Sequence, residues 1–159
     1  MRVTARNAGP EDIAVLLSLY RGLELEMTEL HPMWPLADGL AEPVETSFQQ
    51  LLDDPDAMVV LGEVDGYPFG FAVARVEEIL PQAAGERIGS IRLIYVEPEA
   101  REIALGEEMR DYLMDRLRGR GLSKFDAHVL PGHRLAKNFF EAGGFSARAI
   151  IMHHDDHEK

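Results

Sequence analysis

Apolar and polar positions along the chain switch between a period near two and a period near 3.6, and the switches divide it into elements. Val3-Thr4-Ala5-Arg6 predicts a short strand, and Gly9-Pro10-Glu11-Asp12 supplies the proline and carboxylates that suit a helix's first turn. Ile13, Leu16, Leu17, Tyr20, Leu23 and Met27 recur at helical spacing, so a helix is predicted from about Glu11 to about Leu30, ended by His31-Pro32-Met33-Trp34-Pro35. A second helix is predicted over Val44 to Leu52, with Phe48, Leu51 and Leu52 on one side and Asp54-Pro55 as its stop. Met58 to Val64 and Phe69 to Val76 read as strands joined through Asp65-Gly66-Tyr67-Pro68, a strong hairpin signal. Beyond a loop with Pro81 and Gly85, Ile88 to Val96 forms the next strand. Leu105, Met109, Leu113 and Leu117 then step by four along a long helix that stops at Gly119 to Gly121. Phe125, Ala127 and Val129 alternate as a strand, His133 to Ala142 reads as a short helix, and Phe145 to Met152 is expected to close the sheet. No repeat, linker or low-complexity block interrupts this order.

Within that pattern the segment VEPEAREIALG, Val96 to Gly106, joins a strand to a helix. A helix start leaves unpaired N–H groups and the positive end of a dipole, a ready site for phosphate or pyrophosphate. Ala104 and Gly106 allow close approach to the backbone, and Arg101 adds a cation with a planar, forked head. Glu102, Glu107 and Glu108 are interleaved, so the cradle is not fully basic. The same residues also fit an ordinary turn whose acidic side chains are favoured by the dipole.

Composition narrows the possible functions. A chain of 159 residues, 46% hydrophobic and 28% charged, is expected to fold as one domain over residues 1–159 with a sizeable core, residues 153–159 forming a flexible tail. No apolar run approaches the ~20 residues of a membrane span, and the opening MRVTARNAGPED lacks the blocks of a signal peptide, so a soluble cytoplasmic protein is expected. With no cysteine, thiolate catalysis and cysteine-ligated metal are excluded. The net charge of −12 argues against nucleic acid as a partner. That charge is uneven, with 4 Lys/Arg against 15 Asp/Glu in residues 1–80, and 12 against 13 in residues 81–159. The acidic front half fits either solubility or a field aimed at a ligand.

Three places in this order resemble the GNAT family of N-acetyltransferases. Arg6-Asn7-Ala8 with Glu11-Asp12 resembles the family's opening. Val96-Glu97-Pro98 followed by Arg101, Ala104 and Gly106 is similar to its coenzyme A signature, a Gln or Arg followed at three and five positions by small residues. Ala136-Lys137-Asn138-Phe139-Phe140 with Gly144-Phe145 resembles its late helix, which ends in a Gly-Phe pair.

The resemblance implies an α+β (α/β) fold: a mixed, mostly antiparallel sheet of six to seven strands flanked by about four helices, splayed between strands four and five to admit the pantetheine arm of acetyl-coenzyme A. It implies backbone contacts at Tyr95 and Val96, pyrophosphate on the amides of Arg101, Glu102, Ile103, Ala104, Leu105 and Gly106, and acetyl-coenzyme A as co-substrate without a metal. Arg134 and Lys137 would meet the remaining phosphate or lie on a solvated helix face. Dimers are common in the family, which allows a homodimer.

The implied reaction is direct attack of an amine on the thioester, which needs a neutral amine, oxyanion donors and a proton for the thiolate. The positions that often carry the family's glutamate base hold Ser90 and Arg92, and Phe140 stands where a tyrosine acid is common. An active enzyme would therefore recruit another group, with Tyr20, Tyr95, Glu24, Glu26 and His31 as candidates, or rely on positioning and water. The alternative is a coenzyme A thioester sensor or partner module with weak or no catalysis. Glu24, Glu26 and Glu29, with Met33 and Trp34 as an apolar wall, suggest a cationic acceptor, either a small molecule or a protein amine. His128 and His133 fit pocket or structural roles. The tail His153-His154-Asp155-Asp156-His157-Glu158 has metal-ligating residue types but reads first as a solvated end.

Overall fold

The computed structural model describes residues 1–157. Strands β1 (Val3–Asn7), β2 (Ala57–Val64), β3 (Tyr67–Glu78), β4 (Arg87–Val96) and β5 (Phe125–Ala127) form one sheet in sequence order. The first four are antiparallel neighbours, and β4 and β5 run parallel. Helices α1 (Ile13–Leu30), α2 (Trp34–Ala37), α3 (Val44–Asp53), α4 (Leu105–Gly119) and α5 (Arg134–Ala142) complete the order.

Alternation along the strands sends side chains into two apolar layers. Val59, Leu61, Phe71 and Val73 pack with Leu16, Tyr20, Leu23, Met27 and Phe48 of α1 and α3. Val60, Ala72 and Ala74 pack on the opposite face with Met109, Leu113 and Leu117 of α4 and Phe140 of α5. The four-residue stripe of α4 is wholly buried, Leu105, Met109, Leu113 and Leu117 being at most 1% exposed. Such burial contributes roughly 1.5–3 kcal/mol per large side chain. The hairpin signal is realised in the turn, where Asp65 and Gly66 both adopt positive φ, +51° and +84°.

One irregularity shapes everything downstream. Val73 of β3 faces Leu93 while Ala74 faces Ile91, so Arg92 is an extra residue in β4, a β-bulge. The bulge reverses the strand's parity: Ile91 belongs to the α4 layer, whereas Leu93 and Tyr95 belong to the α1 layer. Pairing of β4 with β5 covers only Gly89, Ser90 and Ile91 opposite Phe125, Asp126 and Ala127. The two strands part just where the bulge begins.

Two expectations need correction. The described residues contain a sheet of five strands, not six to seven, because Phe145 to Met152 forms no strand. Phe145 packs its ring on Phe140 at 5.3 Å, and the residues from Ser146 to His157 are exposed. This segment meets β5 through a side-chain fork, Arg148 Nε donating to Asp126 Oδ1 at 2.7 Å, rather than through a backbone ladder. In addition, Trp34-Pro35-Leu36-Ala37 forms a short helix where only a helix stop was expected. Proline is well suited to a helix's first turn, and Pro35 lies in the first turn of this one.

Candidate active site

The parting of β4 from β5 leaves the β5-facing edge of β4 beyond Ile91 without a strand partner. At the end of β4, a short 3-10 turn over Pro98–Ala100 leads to the head of α4. The amides of Glu102, Ile103, Ala104, Leu105 and Gly106 make no backbone hydrogen bond among the described residues. Five consecutive free N–H groups at a helix start are what an anionic diphosphate requires. Ala104 takes a left-handed conformation, φ +63°, which favours glycine. A side chain at Gly106 would begin 3.0 Å from the Phe139 ring, so the head of α4 sits tightly against α5.

Arg101 turns inward from this loop. Its Nε donates to the Val96 carbonyl at 2.9 Å, its guanidinium lies 5.7 Å from the centre of the Tyr95 ring, and Nη2 pairs with Glu26 of α1. The other oxygen of Glu26 stands 3.4 Å from His133 Nε2, just before α5. Glu26 thus links α1 to both lips of the opening. Burial holds the His133 imidazole below its ordinary pKa, against the pull of Glu26.

Two cavities meet at the bulge. One of about 250 Å³ is lined by Asp38, Gly39 and Leu40 after α2, Leu51 of α3, and Arg75 and Arg92 of the sheet, among others. A smaller one, about 40 Å³, runs between Leu23, Met27 and Trp34 on one side and Leu130, His133, Ala136 and Phe140 on the other. Arg92, Leu93 and His128 line both. Arg92 is held by Glu77 at 2.7 Å, and Arg75 by Asp54 at 3.1 Å.

The residues singled out from the sequence fall into distinct places. Tyr95 packs under α1, where a side chain at Gly22 would begin 2.6 Å from its hydroxyl, and burial, then the charge of Glu97, push its pKa up. Tyr20 is fully buried and its hydroxyl accepts the Leu40 N–H at 2.8 Å. Glu24 is paired with Arg21 at 2.9 Å, Glu29 is exposed, and Nδ1 of His31 accepts the Met33 N–H at 3.3 Å. None of these lines either cavity. Trp34 and Phe140 line the smaller one. Ser90 is fully buried with no hydrogen-bond partner for its hydroxyl among the described residues, and Arg92 lines the cavities. Arg134 is exposed, and Lys137 reaches Glu141 on its own helix at 3.6 Å. In the tail, His154 pairs with Asp156 at 2.8 Å, no metal-binding cluster occurs among the described residues, and Glu158 lies outside them. His128, read from the sequence as one of two undecided histidines, stands at the junction of the cavities. An isolated histidine just past a three-residue strand gave no signal of that.

Known proteins place this geometry in a class. The model of the acetyltransferase (GNAT) family matches residues 19–145, and the chain belongs to that family. No curated protein matches it. Among solved structures it is similar to AAC(6')-Iy in complex with a bisubstrate analogue, CoA-S-monomethyl-acetylneamine, with TM-score 0.75 and 14% identity over 98% of this chain and 99% of that one. It is similar to a ribosomal-protein-alanine N-acetyltransferase from Brucella melitensis, with TM-score 0.70 and 18% identity over 97% and 100%. It is also similar to a transcriptional regulator from Bacillus halodurans, with TM-score 0.77 and 18% identity over 96% and 100%. The fold is therefore that of the acetyltransferases, and no described helix is long and apolar enough to cross a membrane.

Proposed function

We propose that this acetyltransferase moves the acetyl group of acetyl-coenzyme A to a primary amine by direct attack. The observation that carries this reading is the parting of β4 from β5 after Ile91 and Ala127, with unpaired amides at the head of α4 and a cleft on the α1 side. Tyr95 and Val96 would offer backbone to the pantetheine arm, and the amides from Glu102 to Gly106 would take the pyrophosphate, the Arg101 amide expected among them being already donated to the Pro98 carbonyl at 3.4 Å. Arg134 and Lys137 are exposed on α5, and we infer that they would meet the outer phosphate, Lys137 by leaving Glu141. When bound, acetyl-coenzyme A supplies an activated acyl carbon and a thiolate leaving group. The chain's part is to hold both partners in line and keep charge balanced around them.

The acceptor is proposed to be cationic, a small molecule or a protein amine. Support comes from Asp38, the one carboxylate in the cleft lining, and from Asp54 and Glu77 only in that they offset the charge of Arg75 and Arg92 there. The glutamates of α1 are not the recognition groups in this reading, because Glu24 and Glu26 are already engaged by Arg21 and Arg101. A second reading, a coenzyme A thioester sensor with weak turnover, draws support from Phe140 in the smaller cavity and the buried Ser90.

The test is acetyl-coenzyme A titration followed by melting temperature, then thiol release with cationic, neutral and acidic amines. Binding to the native state alone raises the melting temperature. No shift at millimolar ligand overturns the acetyl-transfer reading, and better turnover of acidic or neutral amines overturns the cationic acceptor. A shift without turnover of any amine favours the sensor.

A further inference from the structure

We propose that His128 is the general base that prepares the acceptor amine, an inference that rests on the acetyl-transfer reading above. Its place follows from the backbone. The His128 N–H donates to the Ile91 carbonyl at 3.0 Å, the last rung between β4 and β5 before the strands part. Asp126 and His128 alternate with Phe125 and Ala127, which pack in the α4 layer, so the imidazole is on the α1 side. There it lines both the larger cleft and the narrow cavity beside β4, joined in this only by Arg92 and Leu93.

No other titratable residue fits this place. Arg92 cannot take a proton at neutral pH, and it is already held by Glu77. His133 lines only the narrow cavity and is engaged by Glu26. Asp38 and Arg75 line only the larger cleft. Among the described residues the ring of His128 makes no hydrogen bond or ion pair, and the residue is open to solvent where it lines the two cavities.

The surrounding charges set its protonation. Desolvation in the cleft and then Arg92 of β4 hold the imidazole below its ordinary pKa, while Glu77 of β3, Asp126 of β5 and Asp38 after α2 oppose them. Asp126 is itself neutralised by Arg148. The net direction keeps His128 in its basic form at neutral pH, as a proton acceptor must be. The acceptor ammonium gives one proton to the imidazole, and its freed lone pair forms the C–N bond at the thioester carbonyl. The C–S bond breaks with its electron pair on sulfur, the nitrogen's remaining surplus proton passes to that thiolate, and His128 returns its proton to water.

The experiment compares wild type with His128→Gln and His128→Ala in steady-state thiol release from pH 5.5 to 9, with acetyl-coenzyme A thermal shifts as a binding control. We expect kcat at pH 7 to fall by about 10²–10⁴-fold, the usual contribution of a general base, with KM for acetyl-coenzyme A within about threefold of wild type. The acidic limb of the wild-type profile should give way to a rate that climbs with pH as free amine accumulates, and added imidazole should partly restore His128→Ala. A turnover within threefold of wild type, or an unchanged acidic limb in a variant that still binds the thioester, overturns the role of His128 alone. Absence of turnover in wild type removes the acetyl-transfer reading and this role with it. If neither variant folds, loss of the acidic limb under imidazole-selective chemical modification of wild type, protected by acceptor, supports the assignment, and its persistence overturns it.

Discussion

Arg6 and Asp12 close the corner between β1 and α1 as a two-pronged pair, Nη1 to Oδ2 at 2.8 Å and Nη2 to Oδ1 at 2.9 Å. The same carboxylate accepts the Gly9 N–H at 2.8 Å, so it also caps the turn that starts the helix. Asp12→Ala removes a cap and a buried charge partner together and should cost about 2 kcal/mol by urea unfolding at pH 7. The Arg6 guanidinium holds the Asp12 carboxyl below its usual range. Its contribution is therefore complete above the unfolded value near ~3.9 and is lost as pH falls through the lower folded value. The gap between wild type and variant should be constant from pH 5 to 8 and close only in stronger acid. A gap that narrows already between pH 7 and 5 would contradict the pairing.

Ala104 holds a positive φ with a methyl group in the loop that leads into α4. A non-glycine residue in this region costs on the order of 1 kcal/mol or more. Ala104→Gly should therefore raise the melting temperature by about 2–4 °C for a chain of this size, despite the greater freedom glycine has when unfolded. It should also strengthen acetyl-coenzyme A binding, since the backbone loses its one methyl obstacle. A lower melting temperature would show that the conformation is not strained.

The register of these features explains what could be read from the sequence. Elements whose signal is local were legible: the Asp65-Gly66 hairpin and the stripe from Leu105 to Leu117, which is buried at every step. The bulge at Arg92 was not, because it is a mismatch between β4 and β3 and no single strand carries it. Ile150, Ile151 and Met152 have strand-like composition, yet they are at least 74% exposed because a strand also needs a partner edge, and β5 presents only three residues. The loop from Arg101 to Gly106 was located by its small residues, whereas the inward turn of Arg101 toward Glu26 depends on α1, 75 residues away in sequence.

Gly22 and Tyr95 form a close crossing of α1 over β4, with the ideal Cβ position of Gly22 lying 2.6 Å from the tyrosine oxygen and 2.9 Å from Cζ. Glycine inside a helix normally costs about 1 kcal/mol relative to alanine. Here Gly22→Ala should instead destabilise by roughly 1–3 kcal/mol, the usual effect of overpacking. In a Tyr95→Leu background, where the ring is gone, the same substitution should be neutral or stabilising. Denaturant unfolding of the four proteins gives the coupling directly, and simple additivity would place the ring elsewhere.

His133 ties the start of α5 to Glu26 while burial keeps its imidazole below the ordinary value. A histidine whose folded pKa is depressed binds fewer protons in the folded state than in the unfolded one. Stability therefore rises with pH through that interval and is lost as pH falls from about 6.5, the unfolded value, toward the folded one. Glu26 works against this by favouring the charged ring, so removing its charge should steepen the loss. We expect wild type to be less stable at pH 5 than at pH 7, His133→Asn to flatten that slope, and Glu26→Gln to increase it. Because Glu26 also anchors Arg101, Glu26→Gln should raise KM for acetyl-coenzyme A several-fold at pH 7 with a smaller change in kcat. Equal pH slopes in wild type and His133→Asn would mean that the acid sensitivity arises at another group.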